Sequence, residues 1–287
     1  MSNTEVAKKS TFSAFVNATS TKRAIMNALQ DENRARRFTA SIVSAVNANP
    51  ALAECDSVTI ISGALLGESL NLSPSPQLGQ YYLVPFNDNK RGCKVAQFQL
   101  GYKGYIQLAI RSGEYRKLNV LAIKEGELVR FDPLNEEIEV NLIEDEIERE
   151  NTPTVGYYAM FEYTNGFRKA IYWSREKMEA HADKFSAAFN AKTFEKLRAG
   201  EIPEKDRWKY SSFWYKDFDA MAYKTMLRQL ISKWGIMSIE MQDVITKDDG
   251  VLRENNAVEF IADTVESSPI VQQDEPNDAE KVTMDEL

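Results

Sequence analysis

The sequence predicts an α+β fold: N-terminal helices, a basic β-hairpin, a central helix, a small antiparallel sheet and C-terminal helices, followed by a disordered acidic tail. Apolar residues recur at helical spacing up to about residue 71, occupy short extended runs from residue 80, and return to helical spacing after residue 174. The extended runs follow one another across turn signals instead of alternating with long helices, the pattern of antiparallel pairing. Thr164-Asn165-Gly166 between two apolar runs is the strongest of those signals, because Asn-Gly suits a tight hairpin turn.

From Phe12 to Asn49 the pattern is helical, one run through Phe12, Phe15, Val16, Ala24, Ile25, Ala28 and Leu29 and, after Asp31, a second through Phe38, Ile42, Val43 and Val46. Pro50 ends the run, since it has no N–H to continue a helix. A helix over Ser57–Asn71 has Asp56 or Ser57 as its cap and Ile60, Ile61, Leu65, Leu66 and Leu70 at helical spacing. QYYLVPF and CKVAQFQL form the arms of a hairpin around NDNKRG, with Lys90, Arg91 and Lys94 at its tip. The next helix, Gly101–Ser112, stops at Gly113. Strands fit Leu118–Ile123, Ile138–Leu142, Val155–Tyr163 and Phe167–Trp173, and helices fit Ser174–Phe189 and Ser212–Trp234. No internal repeat is present.

The formal net charge of −8 argues against a nucleic-acid partner until it is divided along the chain. Residues 248–287 carry 12 acids and 2 bases, so residues 1–247 are at +2. A second acidic block, Glu136–Glu150, holds 8 acids and 1 base. Base is concentrated in Phe86–Lys117, with 7 Lys and Arg against 2 acids, and in Lys205–Lys233, with 7 against 3. Such clusters are the footprint of a phosphate-binding surface, or simply a solvated face. Residues 1–247 are expected to form the core and 248–287 a separate tail, disordered past about Val265, that lures a partner's basic groove, competes with nucleic acid for the chain's own basic surface, or aids solubility. No apolar run reaches the ~20 residues of a membrane span. The N-terminal MSNTEVAKKSTFSAF lacks a secretory apolar stretch, and two cysteines are too few for a disulfide scaffold, so the cytoplasm is the expected location.

Several chemistries lack their residues. No Gly is followed by Lys, so the phosphate-cradling loop of ATP-driven recombinases and helicases is absent. His181 is the only histidine and has no second His or Cys at metal-ligand spacing. The acids Asp217 with Asp219, and Glu144 with Asp145, keep a metal-dependent nuclease open as an alternative, although two residues apart on a helix do not face the same way. A non-annealing structural protein that binds DNA or RNA is a further alternative.

Cations, amides and aromatics interleave in the two basic regions, the mixture that tracks a strand backbone while meeting bases without a strict code. Steps of four place Lys103, Gln107 and Arg111 in one stripe of the central helix, with Tyr102, Ile106, Ala109 and Ile110 on other faces suited to packing. Gln97 and Gln99 precede it and Lys117 follows. Around the last helix come Lys216 and a second stripe, Lys224 with Arg228, amid Trp208, Tyr210, Phe213, Trp214 and Tyr215, aromatics expected mostly in the core. Gly101 to Gly104 is a short match to the backbone clamp of a KH domain, in the wrong context after a strand.

Three stretches together, Cys55–Phe86, Phe98–Glu127 and Phe218–Val244, resemble the RecT family of phage single-strand annealing proteins, with similarity spanning roughly residues 12 to 247. The resemblance implies a non-enzymatic protein without ATP, metal or other cofactor, forming rings or filaments and working in the cytoplasm of a bacterial host. It would hold a single strand extended in a basic groove, bases outward, and anneal it to a complement. A phage exonuclease and the host single-strand-binding protein are the implied partners. The hairpin Gln80–Leu100, the helix with Lys103 and Arg111, and the helix with Lys224 and Arg228 would line that groove. Where relatives carry two adjacent basic residues before the Thr of the last helix, this chain has Tyr223-Lys224-Thr225, leaving Tyr223 open between stacking and packing.

Overall fold

Helix boundaries follow local capping chemistry. A computed structural model describes residues 11–186, 188–236 and 247–248, and the backbone of 251–252 and 258–259. The chain forms three helices here, α1 (Phe12–Asn17), α2 (Thr19–Leu29) and α3 (Glu32–Ala48): the expected second run after Asp31 is α3, and the first run is further divided at Ala18. The Thr11 and Asp31 side chains accept from the Ala14 and Arg34 N–H groups, satisfying donors that a helix start leaves unpaired. After a 3-10 turn at Pro50–Glu54, α4 (Ser57–Ser69) starts on Asp56, which accepts from the Val58 N–H at 3.0 Å. Ile60, Ile61, Ala64 and Leu66 of α4 are buried.

Strands β1 (Tyr81–Asp88) and β2 (Cys93–Leu100) pair antiparallel from Tyr81↔Leu100 to Asp88↔Cys93. Because side chains alternate, Tyr81, Leu83, Phe98 and Leu100 share the buried face, with Tyr81 and Phe98 stacked at 5.1 Å. The outer edge of β2 is closed by side chains and loops: Lys94 O accepts from the Asp56 N–H at 2.7 Å, the Ala96 N–H donates to Thr59 Oγ1 at 2.9 Å, and the Leu100 N–H donates to Asp248 Oδ1 at 2.7 Å.

Helix α5 (Tyr102–Ser112) leads into β3 (Tyr115–Lys124), which pairs with β6 (Thr154–Tyr163), itself paired with β7 (Arg168–Ser174), in a three-stranded antiparallel sheet. Between them lie a small hairpin, β4 (Leu128–Asp132) with β5 (Glu137–Val140), and the short α6 (Glu146–Asn151). Neither β4 nor α6 follows from apolar periodicity: β4 is short and carries Arg130, and α6 buries no residue. The buried Glu127 binds the two together, taking Arg149 Nε at 2.6 Å and the Lys124 and Ile143 N–H groups.

The C-terminal half contains α7 (Arg175–Phe185), α8 (Ala191–Arg198), a 3-10 turn (Glu204–Lys209), α9 (Phe213–Lys216) and α10 (Phe218–Trp234). The expected single helix over Ser212–Trp234 is thus broken at Asp217, whose side chain accepts from the Ala220 N–H and caps α10. Helix α10 serves two cores: Leu227 and Ile231 join the N-terminal helices and hairpin, while Ala222, Met226 and Leu230 join β6, α7 and α8. Asp248, expected to open a separate tail, is instead buried. Two short strands, β8 (Val251–Leu252) and β9 (Val258–Glu259), pair after it, and β8 packs on β2 and α4. The expected disorder past Val265 falls outside the described residues. Among the described residues, no helix is long and apolar enough to cross a membrane.

Candidate nucleic-acid interface

The first turn of α5 seats directly on the entry to β1. The Gly101 N–H donates to Gln80 O at 2.9 Å, and a Cβ at Gly101 or Gly104 would collide with the carbonyl oxygen of Gly79 or Gln80. The G-x-x-G is therefore a seam for close backbone packing, and the short match to a KH clamp has no structural counterpart. This seating fixes the rotation of α5. Tyr105, Leu108 and Ala109 are buried, whereas Lys103 and Arg111 are exposed with Gln107 half-buried between them. Ile110, expected to pack, is 61% exposed.

Lys103 lies in a mixed cationic and aromatic patch built by the β1–β2 hairpin, α5, α9 and α10. Its stem and the Tyr82 hydroxyl both flank Gly79, Tyr82 packs on Phe213 with ring centroids 5.2 Å apart, and Tyr102 meets Tyr223 edge-on at 5.6 Å. Gln99 is in register with Tyr82 on the hairpin, and the exposed Lys216 follows Phe213 by one turn. Gln97 is buried and accepts the Gln99 amide at 2.8 Å, so it orients Gln99 from beneath. Tyr223 also meets Tyr157 edge-on at 6.0 Å, which resolves its open role toward packing. Of the nearby aromatics Trp214 is buried as expected, while Trp208 is 74% exposed.

The remaining cations are spread out. Arg111 donates to Leu70 O at 2.8 Å, the residue that ends α4, where a helix gathers negative potential. Lys117 and Arg116 pair with Glu162 across the sheet, at 3.3 and 3.1 Å. At the hairpin tip Arg91 pairs with Asp88, Lys94 with Glu54, and Lys90 is exposed. At about 3.3 Å per strand residue, that tip is roughly 23 Å from Tyr81.

The stripe on α10 points elsewhere. Lys224 is only 6% exposed, and its Nζ lies 3.2 Å from Asp248 Oδ1, while Arg228 Nη1 lies 3.4 Å from Oδ2. Asp248 also accepts from the Leu100 N–H at 2.7 Å and the Tyr105 hydroxyl at 3.2 Å. Neither Asp248 nor Tyr105 is legible in the sequence as part of a site, because Asp248 counts toward the acidic tail and Tyr105 toward the apolar face of α5.

Beside Arg228 runs a face of α7 that sequence reasoning also missed. Lys177 sits over Trp173 at 4.6 Å, Lys184 over the exposed Phe185 at 5.2 Å, and His181 lies between the two aromatics. Burial first, then Arg228, Lys177 and Lys184, push the His181 pKa below its ordinary value. The spacing of Lys177, His181 and Lys184 is visible in the sequence as one helical stripe, but His181 taken alone suggests only a metal ligand or a base.

The acids that kept a nuclease open have structural partners. Asp217 caps α10, Asp219 accepts the Tyr157 hydroxyl at 2.6 Å, and Asp145 caps α6. Among the described residues, no three His, Cys, Asp or Glu side chains gather as a metal would require.

Against known proteins, residues 36–264 match the RecT family. The chain is 39% identical over 244 residues to the uncharacterized protein YqaK of Bacillus subtilis (strain 168), covering 85% of this chain and 73% of that one. It is 28% identical over 245 residues to Protein RecT of Escherichia coli (strain K12), covering 84% and 81%.

Proposed function

The chain belongs to the RecT family, a family of single-strand annealing recombination proteins that are generally non-catalytic, and from that premise we propose that it binds single-stranded DNA along the α5 surface and anneals it to a complementary strand without ATP. The observation that carries this reading is the exposed stripe of Lys103 and Arg111 with Gln107 between them, continuous at its Lys103 end with Tyr82, Tyr102, Phe213 and Lys216. Cations there neutralise phosphates and supply affinity that does not depend on sequence. Aromatic and amide groups meet the strand without a base code, and pairing with the complement supplies specificity. The protein contributes positioning and charge neutralisation, and no bond is made or broken. The hairpin tip, with Lys90, Arg91 and Lys94, extends the path toward the duplex intermediate or a neighbouring copy in a ring or filament. In a bacterial cytoplasm the strand would come from a phage exonuclease, coated by the host single-strand-binding protein.

Mixing the purified protein with labelled complementary strands in chelator, with no nucleotide, tests this directly. Prompt duplex formation with both strands at full length is expected. Strand shortening that requires metal, or no acceleration over the spontaneous rate, would overturn the reading.

A further inference from the structure

Helix α7 sorts its charges onto two faces. Its acids are engaged away from the lysines: Glu179 takes Arg175 Nε at 2.9 Å and lies 3.8 Å from Arg198 Nη1, Asp183 accepts the Asn190 amide at 3.2 Å and the Ala191 N–H at 2.8 Å, and Glu176 takes the Ser174 hydroxyl. Lys177 and Lys184 are exposed, and among the described residues neither pairs with a carboxylate. They stand two turns apart on the helix, roughly 10 Å, and bracket a row of rings. Lys177 Nζ is 4.6 Å from the Trp173 ring, Lys184 Nζ is 5.2 Å from the Phe185 ring, and His181 lies 5.2 Å from the first ring and 4.6 Å from the second. Met178 and Ala182 hold the opposite side of α7 in the core, which leaves Phe185 67% exposed at the end of the helix. After burial, the groups that push the His181 pKa down are all cations, Arg228, Lys177 and Lys184, so this face is electropositive throughout. Such a face fits a single strand: lysines neutralise phosphates, and an open ring takes an unpaired base on its flat side while leaving that base's pairing edge free.

Annealing brings two strands together, and α5 offers a stripe for one. Helix α5 is anchored in the core of the N-terminal helices and hairpin, whereas α7 is anchored in the core of the sheet and C-terminal helices. We propose, resting on the strand-binding reading above, that the Lys177–Lys184 face of α7 is a second single-strand site, which holds the incoming complement while the first strand lies along α5. It offers two lysines and one open ring, where the α5 surface offers Lys103, Arg111 and Lys216 with several aromatics. With fewer phosphates neutralised, the α7 site fills second and releases its strand readily into pairing.

His181 is the only histidine in the chain, so its carbethoxylation by diethyl pyrocarbonate, followed by mass spectrometry, reports on this face. The full-length protein is titrated with oligothymidylate, which cannot pair with itself. His181 should stay reactive while the first, tight equivalent binds and become protected several-fold with a second, weaker one. Protection with the first equivalent, or none at saturation, overturns the proposal. A Lys177→Ala, Lys184→Ala, Phe185→Ala variant, changed only at exposed positions, should keep the parent's affinity for a single strand and anneal complementary strands about tenfold more slowly. Annealing at the parent's rate, or affinity and rate lost in parallel, overturns it. So does slower annealing accompanied by a smaller assembly in light scattering, which would assign the face to contact between copies of the chain. Failure of the parent to bind oligothymidylate at any salt would instead reject the strand-binding reading, and this proposal with it.

Discussion

Helices α5 and α10 carry the same local signature, two cations on one stripe of an amphipathic helix, and the fold uses them in opposite ways. On α5 the seam at Gly101 and Gly104 turns Lys103 and Arg111 outward. On α10, which is packed by two cores at once, Lys224 has no outward path and meets a buried carboxylate from residue 248. Periodicity identifies which residues share a face but not what that face meets. Only chain topology brings Asp248 to Lys224.

The comparison breaks most readily at Lys224. Lys224→Met should cost about 3 kcal/mol in urea unfolding, because it removes one partner of an enclosed pair, whereas Lys103→Met should stay within about 0.5 kcal/mol. Equal costs would mean that the two stripes are not distinct. Next comes Gly104→Ala, whose methyl group must displace the Gln80 carbonyl; a loss of about 1–3 kcal/mol is expected, and unchanged stability would show that the seam does not set the rotation of α5. Arg111→Ala should do two things at once: lower stability by about 1 kcal/mol through the Leu70 carbonyl it leaves, and flatten the salt slope of strand binding. Lys103→Ala should change that slope alone, by about 0.7, with melting unaltered.

The smallest effect concerns His181. Its pKa is below the ordinary value in the folded chain, so at pH values between the two the unfolded chain binds more protons. Stability should therefore fall as pH drops from 7.5 through 6.5 and below, and His181→Gln should flatten that dependence. Identical pH profiles of melting in the two proteins would rule out a stabilising role for the neutral imidazole.

Much of the fold was legible from the sequence. The Asp56 cap, the hairpin arms, the Gly113 stop and the Asn165-Gly166 turn each depend on chemistry within a few residues, and each forms as expected. The break at Asp217 was hidden because the apolar pattern runs straight through it, and only the capping contact to Ala220 reveals the new helix start. The candidate interface was half legible. Exposed cations on α5 followed from spacing, but the cluster around Asp248 joins residues 100, 105, 224, 228 and 248, a span of sequence that no local rule connects.

The sealed outer edge of β2 bears on what happens when the chain is cut. Asp56 and Thr59 protect the edge from within the N-terminal half, but at Leu100 the acceptor comes from Asp248. Cleavage just before residue 248 would remove the side-chain acceptor of the Leu100 N–H at that end of the strand. Such an edge is a template for another chain's backbone, so a protein trimmed there should tend toward self-association in the absence of DNA.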